Sequence, residues 1–179
     1  AYNLISTSKV RNEMIVDDVI TCITRKQTPV ILTRFKEHAK FLYDALKGKA
    51  DHVFLLYGDN SDKENTEIRG RLKQVPGSES LVLVATGQKI GEGFDFPRLD
   101  VLMLAAPVSF EGRLEQYVGR LNRDYVGKEA VYVYDYIDSH VRYFDKMYAK
   151  RLRTYRKTGF SIWTQESQPK QLVNEILIL

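Results

Sequence analysis

The sequence predicts a parallel α/β sheet covered by helices, on three observations. Short, continuously apolar runs recur at residues 30–33, 53–57, 81–85, 101–106 and 131–134, and most are separated by segments with apolar residues at helical spacing. Runs that do not alternate with polar residues suit strands buried on both faces, the usual condition of a parallel sheet. At 179 residues and 44% hydrophobic content, the chain is the size of one domain with its own core.

Taken in order, residues 6–26 start with serines and threonines suited to an N-cap. Val10, Met14, Ile15, Val19 and Cys22 then recur as one apolar face. Pro29 stops that helix and the first strand follows. The next helix spans about 36–46, with Ala39, Leu42, Tyr43 and Leu46 on one face, and Gly48 ends it. After the strand at 53–57, Gly58-Asp59-Asn60-Ser61 turns the chain into a polar helix over about 62–75, closed by Pro76-Gly77. The strand at 81–85 leads through Thr86-Gly87 into a glycine-rich loop, and the strand at 100–106 into a helix over 111–123. A last strand at 131–134 precedes a basic helix over about 139–157. This gives a domain over 1–160 and a tail over 161–179, read as a short helix that packs back on the domain or onto a partner.

Composition narrows the function classes. No run of about 18 apolar residues is present for a membrane span, and the first residues lack a signal-peptide layout, so the chain reads as soluble and cytoplasmic. One cysteine, Cys22, gives neither an internal disulfide nor a cysteine-rich zinc site, and reads as a small core residue. The scattered histidines His38, His52 and His140 have no partners at metal spacing, so no metal site is expected. The start at Ala1 fits a processed product, a cloning remnant or a fragment of something longer. Net charge is only +4, but residues 140–157 hold seven basic side chains against the single acid Asp145. Basicity is local, as for one cationic surface.

The helix over 111–123 carries the sharpest signal. At about 100° per residue, Gln116, Gly119, Arg120 and Arg123 fall within roughly a third of the circumference, and Leu114, Tyr117, Val118 and Leu121 on the other side. Two arginines side by side, next to a glycine that permits close approach, suit a phosphate group. Ligands of open parallel sheets bind at the carboxyl ends of the strands, an edge that both this helix and the loop from Thr86 to Pro97 can reach. The sequence has no G-x-x-x-x-G-K-[ST] phosphate loop and no strand ending in the paired acids that hold Mg²⁺. It offers charge-stabilising arginines without the parts that hold a nucleotide triphosphate alone.

This combination resembles the second, C-terminal RecA-like domain of superfamily 2 helicases and translocases, over roughly residues 10–157. Val30-Ile31-Leu32-Thr33-Arg34 resembles motif IV, and Leu56-Tyr57-Gly58 with Arg69 downstream the family's hydrophobic-glycine turn and helical arginine. Residues 84–97, containing Gly91-Glu92-Gly93-Phe94-Asp95, resemble motif V, and Gln116-x-x-Gly119-Arg120-x-x-Arg123 matches motif VI residue for residue. The wording around Ile90-Gly91-Glu92-Gly93, Arg98-Leu99-Asp100, Pro107-Val108-Ser109 and Tyr134-Asp135-Tyr136-Ile137-Asp138 is most similar to the type III restriction-subunit group, in particular the DEAD/DEAH helicases of prokaryotic conflict systems.

The resemblance implies a RecA-like three-layer fold with a mostly parallel central sheet, and a bacterial motor domain that is inactive as an ATPase alone. ATP with Mg²⁺ would be held mainly by an N-terminal RecA-like phosphate-loop domain of the same polypeptide. Arg120 and Arg123 would be arginine fingers toward the γ-phosphate, with Gln116 ordering the attacking water or linking the phosphate to the domain interface. Gly93, Asp95 and Gly119 would approach the nucleotide, with Asp95 near the ribose hydroxyls. Thr33, Arg34, Thr86 and Gly87 would contact the backbone of DNA, or of RNA. Glu92 departs from the basic or small residue of many relatives and receives no role.

Each feature also has a structural reading. Arg120 and Arg123 could serve only surface ion pairs to Glu111, Glu115 or Asp124, and the glycine loop could be an ordinary tight connection. In the basic helix, Val141, Phe144, Tyr148, Leu152 and Tyr155 form the expected packing stripe. Arg142, Lys146, Lys150, Arg153 and Lys157 form a parallel cationic one, either a solvated face or a surface for nucleic acid or an acidic partner. A stand-alone binding module with a helicase-like fold, and an unrelated α/β enzyme of nucleotides or sugar phosphates, are the alternative functions.

Overall fold

Ser8 divides the leading helical segment in two. Its hydroxyl accepts the Arg11 amide at 3.4 Å and caps α2 (Lys9–Thr24), with α1 (Tyr2–Thr7) before it. The helix expected over 6–26 is α2, capped by one of the expected serines and preceded by α1, and Val10 stands exposed instead of joining the apolar face. Ile15, Val19 and Cys22 are buried as expected, and burial pushes the Cys22 thiol up to about 12, leaving it unreactive. The computed structural model describes residues 2–87, 95–107, 111–121, 123–128, 130–138, 140–164 and 175–178, with side chains except at 111–114, 120, 164 and 175–178.

The remaining elements follow the predicted alternation. They are β1 (Pro29–Thr33), α3 (Lys36–Leu46), β2 (His52–Leu56), α4 (Asp62–Gln74), β3 (Leu81–Thr86), β4 (Val101–Leu104), α5 (Glu111–Leu121), β5 (Tyr132–Asp135) and α6 (Arg142–Lys157). Ala39, Leu42 and Leu46 bury the predicted face of α3. Burying a side chain such as Leu42 fully is worth about 2 kcal/mol. A capping box starts α4: Ser61 Oγ accepts the Glu64 amide at 3.2 Å and Glu64 accepts the Ser61 amide at 2.6 Å. Gly48 follows α3 at φ 78° and Gly159 follows α6 at φ 86°, left-handed positions that favour glycine.

The sheet order is β2-β3-β1-β4-β5-β7-β6, and the first five strands are parallel. Thr33 is in register with Thr86, Leu32 with Leu104, and Leu104 with Asp135, so these strands end at one common edge. Within β1, Ile31 points to one face and Val30 and Leu32 to the other. Ile31 packs with Ile15, Val19, Leu42 and Leu46 of α2 and α3. Val30 and Leu32 belong to the opposite core with Leu72, Tyr117, Val118, Leu121 and Tyr155 of α4, α5 and α6. The result is the three-layer α/β fold the sequence predicts.

Two expectations are corrected. The tail is not helical where it is described: β6 (Ser161–Thr164) and β7 (Glu175–Ile178) form an antiparallel pair, and β7 pairs with β5. The cause is the free edge of β5, whose backbone groups at Tyr132–Tyr134 are taken up by Ile176–Ile178. The sheet thus runs on past residue 160. In α6, which starts at Arg142, the buried face is Phe144, Met147, Arg151, Thr154 and Tyr155, with Tyr148 and Leu152 only partly covered. Arg151 sits inside because Asp135 accepts its Nε at 2.7 Å and its Nη2 at 2.9 Å, and accepts Tyr155 Oη at 2.7 Å. Burial alone pulls the Arg151 pKa down, but the Asp135 charge and these bonds outweigh it and raise it.

Candidate functional site

Tyr117 ties the helix carrying the arginines to the loop that leaves β3. Its hydroxyl donates to the Gly87 carbonyl at 2.7 Å, and a Cβ at Gly87 would lie 2.9 Å from that oxygen. Gly87 is therefore required by close approach inside the chain. The docking turns the opposite side of α5 outward: Gln116 and Gly119 are exposed, and among the described residues nothing lies within 4 Å of where a Cβ at Gly119 would be. Past the end of α5, Arg123 Nη2 donates to Asp95 Oδ2 at 3.3 Å. This pair joins the two segments that resemble motifs V and VI. Both are more than half exposed, at 60% and 51%, so the pair adds little stability and leaves both groups accessible to a ligand. The helical backbone at Arg120 is one turn before Arg123; its side chain, and all of Gly93, lie outside the described residues.

Lys128 holds this corner from behind, and the sequence reading gave it no role. Its ammonium donates to the carbonyls of Leu121, of Pro97 at 3.0 Å and of Arg123 at 2.7 Å, closing the carboxyl end of α5 onto the segment after Asp95. Burial lowers its pKa, against the charges of Asp100 and Asp124. The available signal was a lysine just beyond a helix end, where a cation meets unpaired carbonyls.

The proposed nucleic-acid residues divide into two kinds. Arg34 is exposed, its guanidinium 4.7 Å from the centre of the Tyr2 ring. Thr33 and Thr86 are buried at the ends of β1 and β3. Asn12 Nδ2 donates to the Ser6 carbonyl at 2.8 Å, so Asn12 Oδ1 is the atom facing His38 Nε2, at 2.8 Å. Nε2 therefore carries the imidazole proton, and Nδ1 accepts from the Thr33 hydroxyl at 2.7 Å. The Thr33 proton is committed inside the protein, and its hydroxyl has none to offer a phosphate. Burial pushes the His38 pKa down to about 4, with the charge of Arg11 acting the same way, so the ring is neutral at pH 7.

Arg11 is the second residue that periodicity missed. It lies buried on α2, and its guanidinium donates to the Ala105 carbonyl beyond β4, to the Tyr136 carbonyl at 3.5 Å, and to both Asp138 oxygens at 3.2 Å. A basic residue amid a helix of otherwise mixed pattern carries no spacing signal; only the acid after the YDY run hints at its partner.

No cluster of three or more acidic, histidine or cysteine side chains is placed to hold an ion among the described residues. No protein-family model matches the chain. The chain is 29% identical over 120 residues to the transcript termination protein A18 of Yaba-like disease virus, covering 66% of this chain and 24% of that one. It is 41% identical over 80 residues to the putative helicase 161L of invertebrate iridescent virus 6, covering 44% of this chain and 16% of that protein. It thus spans about a quarter or less of these curated relatives. They are viral, and the finer likeness to bacterial, restriction-linked helicases receives no support from them.

Among solved structures, T4 UvsW overlays with a TM-score of 0.68 and 22% identity over 87% of this chain and 34% of that one. Domain 2 of the DEAD-box helicase Mss116p, bound to an RNA duplex, overlays at 0.53 and 21% identity over 66% of this chain and 48% of that one. The C-terminal domain of the DEAD-box protein Dbp5 overlays at 0.55 and 14% identity over 80% of this chain and 79% of that one. The fold is that of a helicase RecA-like domain.

Proposed function

We propose that this chain is the C-terminal motor domain of a nucleic-acid-dependent ATPase of the superfamily 2 type, working with a phosphate-loop domain that holds ATP and Mg²⁺. The observation that carries the reading is the accessible Arg123–Asp95 pair, in which the last arginine of the motif VI-like run meets the acid of the motif V-like loop. Arg123, with Arg120 one turn earlier, would bring positive charge to the γ-phosphate across the interdomain cleft, and Asp95 would be released toward the ribose. Gln116 would order the attacking water. Arg34, the backbone beside Thr33, and the Thr86-Gly87 turn would hold a nucleic-acid strand by its phosphates. Names of relatives as transcript termination proteins and a helicase support this reading.

The test is DNA- and RNA-stimulated ATP hydrolysis by a polypeptide joining this chain to its phosphate-loop domain. Arg123→Ala and Arg120→Ala should each lower the stimulated turnover by about 10³-fold or more, the scale of an arginine finger. Turnover at the unmutated rate in both variants overturns the assignment. This chain by itself should not hydrolyse ATP.

A further inference from the structure

The first turn of α6 meets β1 through α1. Tyr2 lies edge-on to Phe144 at 4.8 Å and to Tyr143 at 6.4 Å between ring centres, its hydroxyl donates to Met147 Sδ at 3.4 Å, and its ring underlies Arg34. Phe144 is buried, whereas Tyr143 leaves 57% of its surface in solvent. Beside Tyr143 on the helical wheel run Arg142, Lys146, Lys150, Arg153 and Lys157, all exposed and within about 80° of one another. The single acid of the helix, Asp145, flanks this stripe on the side away from Tyr143. Lys157 pairs with Glu115 at 3.3 Å; Arg142, Lys146 and Lys150 make no ion pair among the described residues. From Arg142 to Lys157 the stripe is about 22 Å long.

We infer that this surface is a second nucleic-acid contact. A single strand leaving Arg34 stacks a base on Tyr143 and runs its phosphates along the cationic stripe of α6. The chemistry favours a single strand over an acidic protein surface. Cations of one sign recur along a straight 22 Å line, matching a regularly charged backbone, and an exposed aromatic ring offers a face that every unpaired base can use. Arg34 continues the positive charge to the edge where the motor reading places the strand, and the inference rests on that reading.

Binding of this 179-residue chain to a fluorescein-labelled oligothymidylate of about 12 nucleotides, followed by anisotropy across a salt series, tests it. The triple variant Arg142→Gln, Lys146→Gln, Lys150→Gln should weaken binding and flatten the slope of log K against log salt by about 2. Tyr143→Ala should weaken binding about tenfold with the slope retained, and Tyr143→Phe should restore it. An unchanged slope in the triple variant overturns the inference. So does unaltered affinity in Tyr143→Ala, or competition by polyglutamate as strong as by unlabelled oligothymidylate. Stimulated ATP hydrolysis by the longer polypeptide reports on the motor reading and oligonucleotide binding by this chain on the α6 surface, so failure of the one and failure of the other give separate results.

Discussion

His38 and Asp18 are buried ionisable groups with opposite pH behaviour. Burial pushes Asp18 up to about 6, although the Tyr136 hydroxyl donating to it at 2.6 Å pulls the other way. A carboxyl raised from its ordinary value of about 4 stabilises the fold fully below pH 4, and that stability is lost as pH rises through about 6. His38, lowered to about 4, contributes stability above about pH 6.5 that is lost as pH falls through 4. Urea unfolding of Asp18→Asn should therefore show a gain on the order of 2 kcal/mol over the wild type at pH 7.5 that vanishes by pH 4. The difference between wild type and His38→Gln should shrink over the fall from pH 6.5 to 4. Parallel curves for either pair would remove that residue from the account.

The Tyr117–Gly87 contact ties α5 to the loop that leaves β3. Gly87→Ala should cost about 1–2 kcal/mol because its methyl meets Tyr117 Oη. Tyr117→Phe alone should cost about 1 kcal/mol, and the double variant less than the sum of the two. Additive losses in chemical unfolding would mean the two residues do not share this contact. Helix and strand alternation was legible because burial on both faces writes continuous apolar runs, and the exposure of Gln116 and Gly119 was legible because helical spacing puts them on one side, whereas the helix expected to reach 123 ends at Leu121 and leaves Arg123 beyond it. Arg11, Lys128 and the role of Asp135 were not, because each works through partners distant in sequence that periodicity does not encode. Thr33 sits at the strand end as expected, and the hydrogen bond of its hydroxyl to His38 is another contact that spacing does not show.

For the whole molecule, the β6–β7 pair closes a flank that the helices leave open. A chain ending at Gly159 should keep its helical circular dichroism but self-associate, since β5 would present unpaired backbone at Tyr132–Tyr134. Light scattering showing only monomer at the concentrations used for the full chain would contradict this. The same sheet is braced at its carboxyl edge by the Arg11 guanidinium, which grips the carbonyls beyond β4 and β5 and the Asp138 carboxylate together. A pull on that edge loads these bonds side by side, in shear, instead of unzipping β4 from β5 rung by rung. In the proposed motor, a brace of this kind would keep the strand ends beside Arg34 in fixed relation to one another while the domain moves.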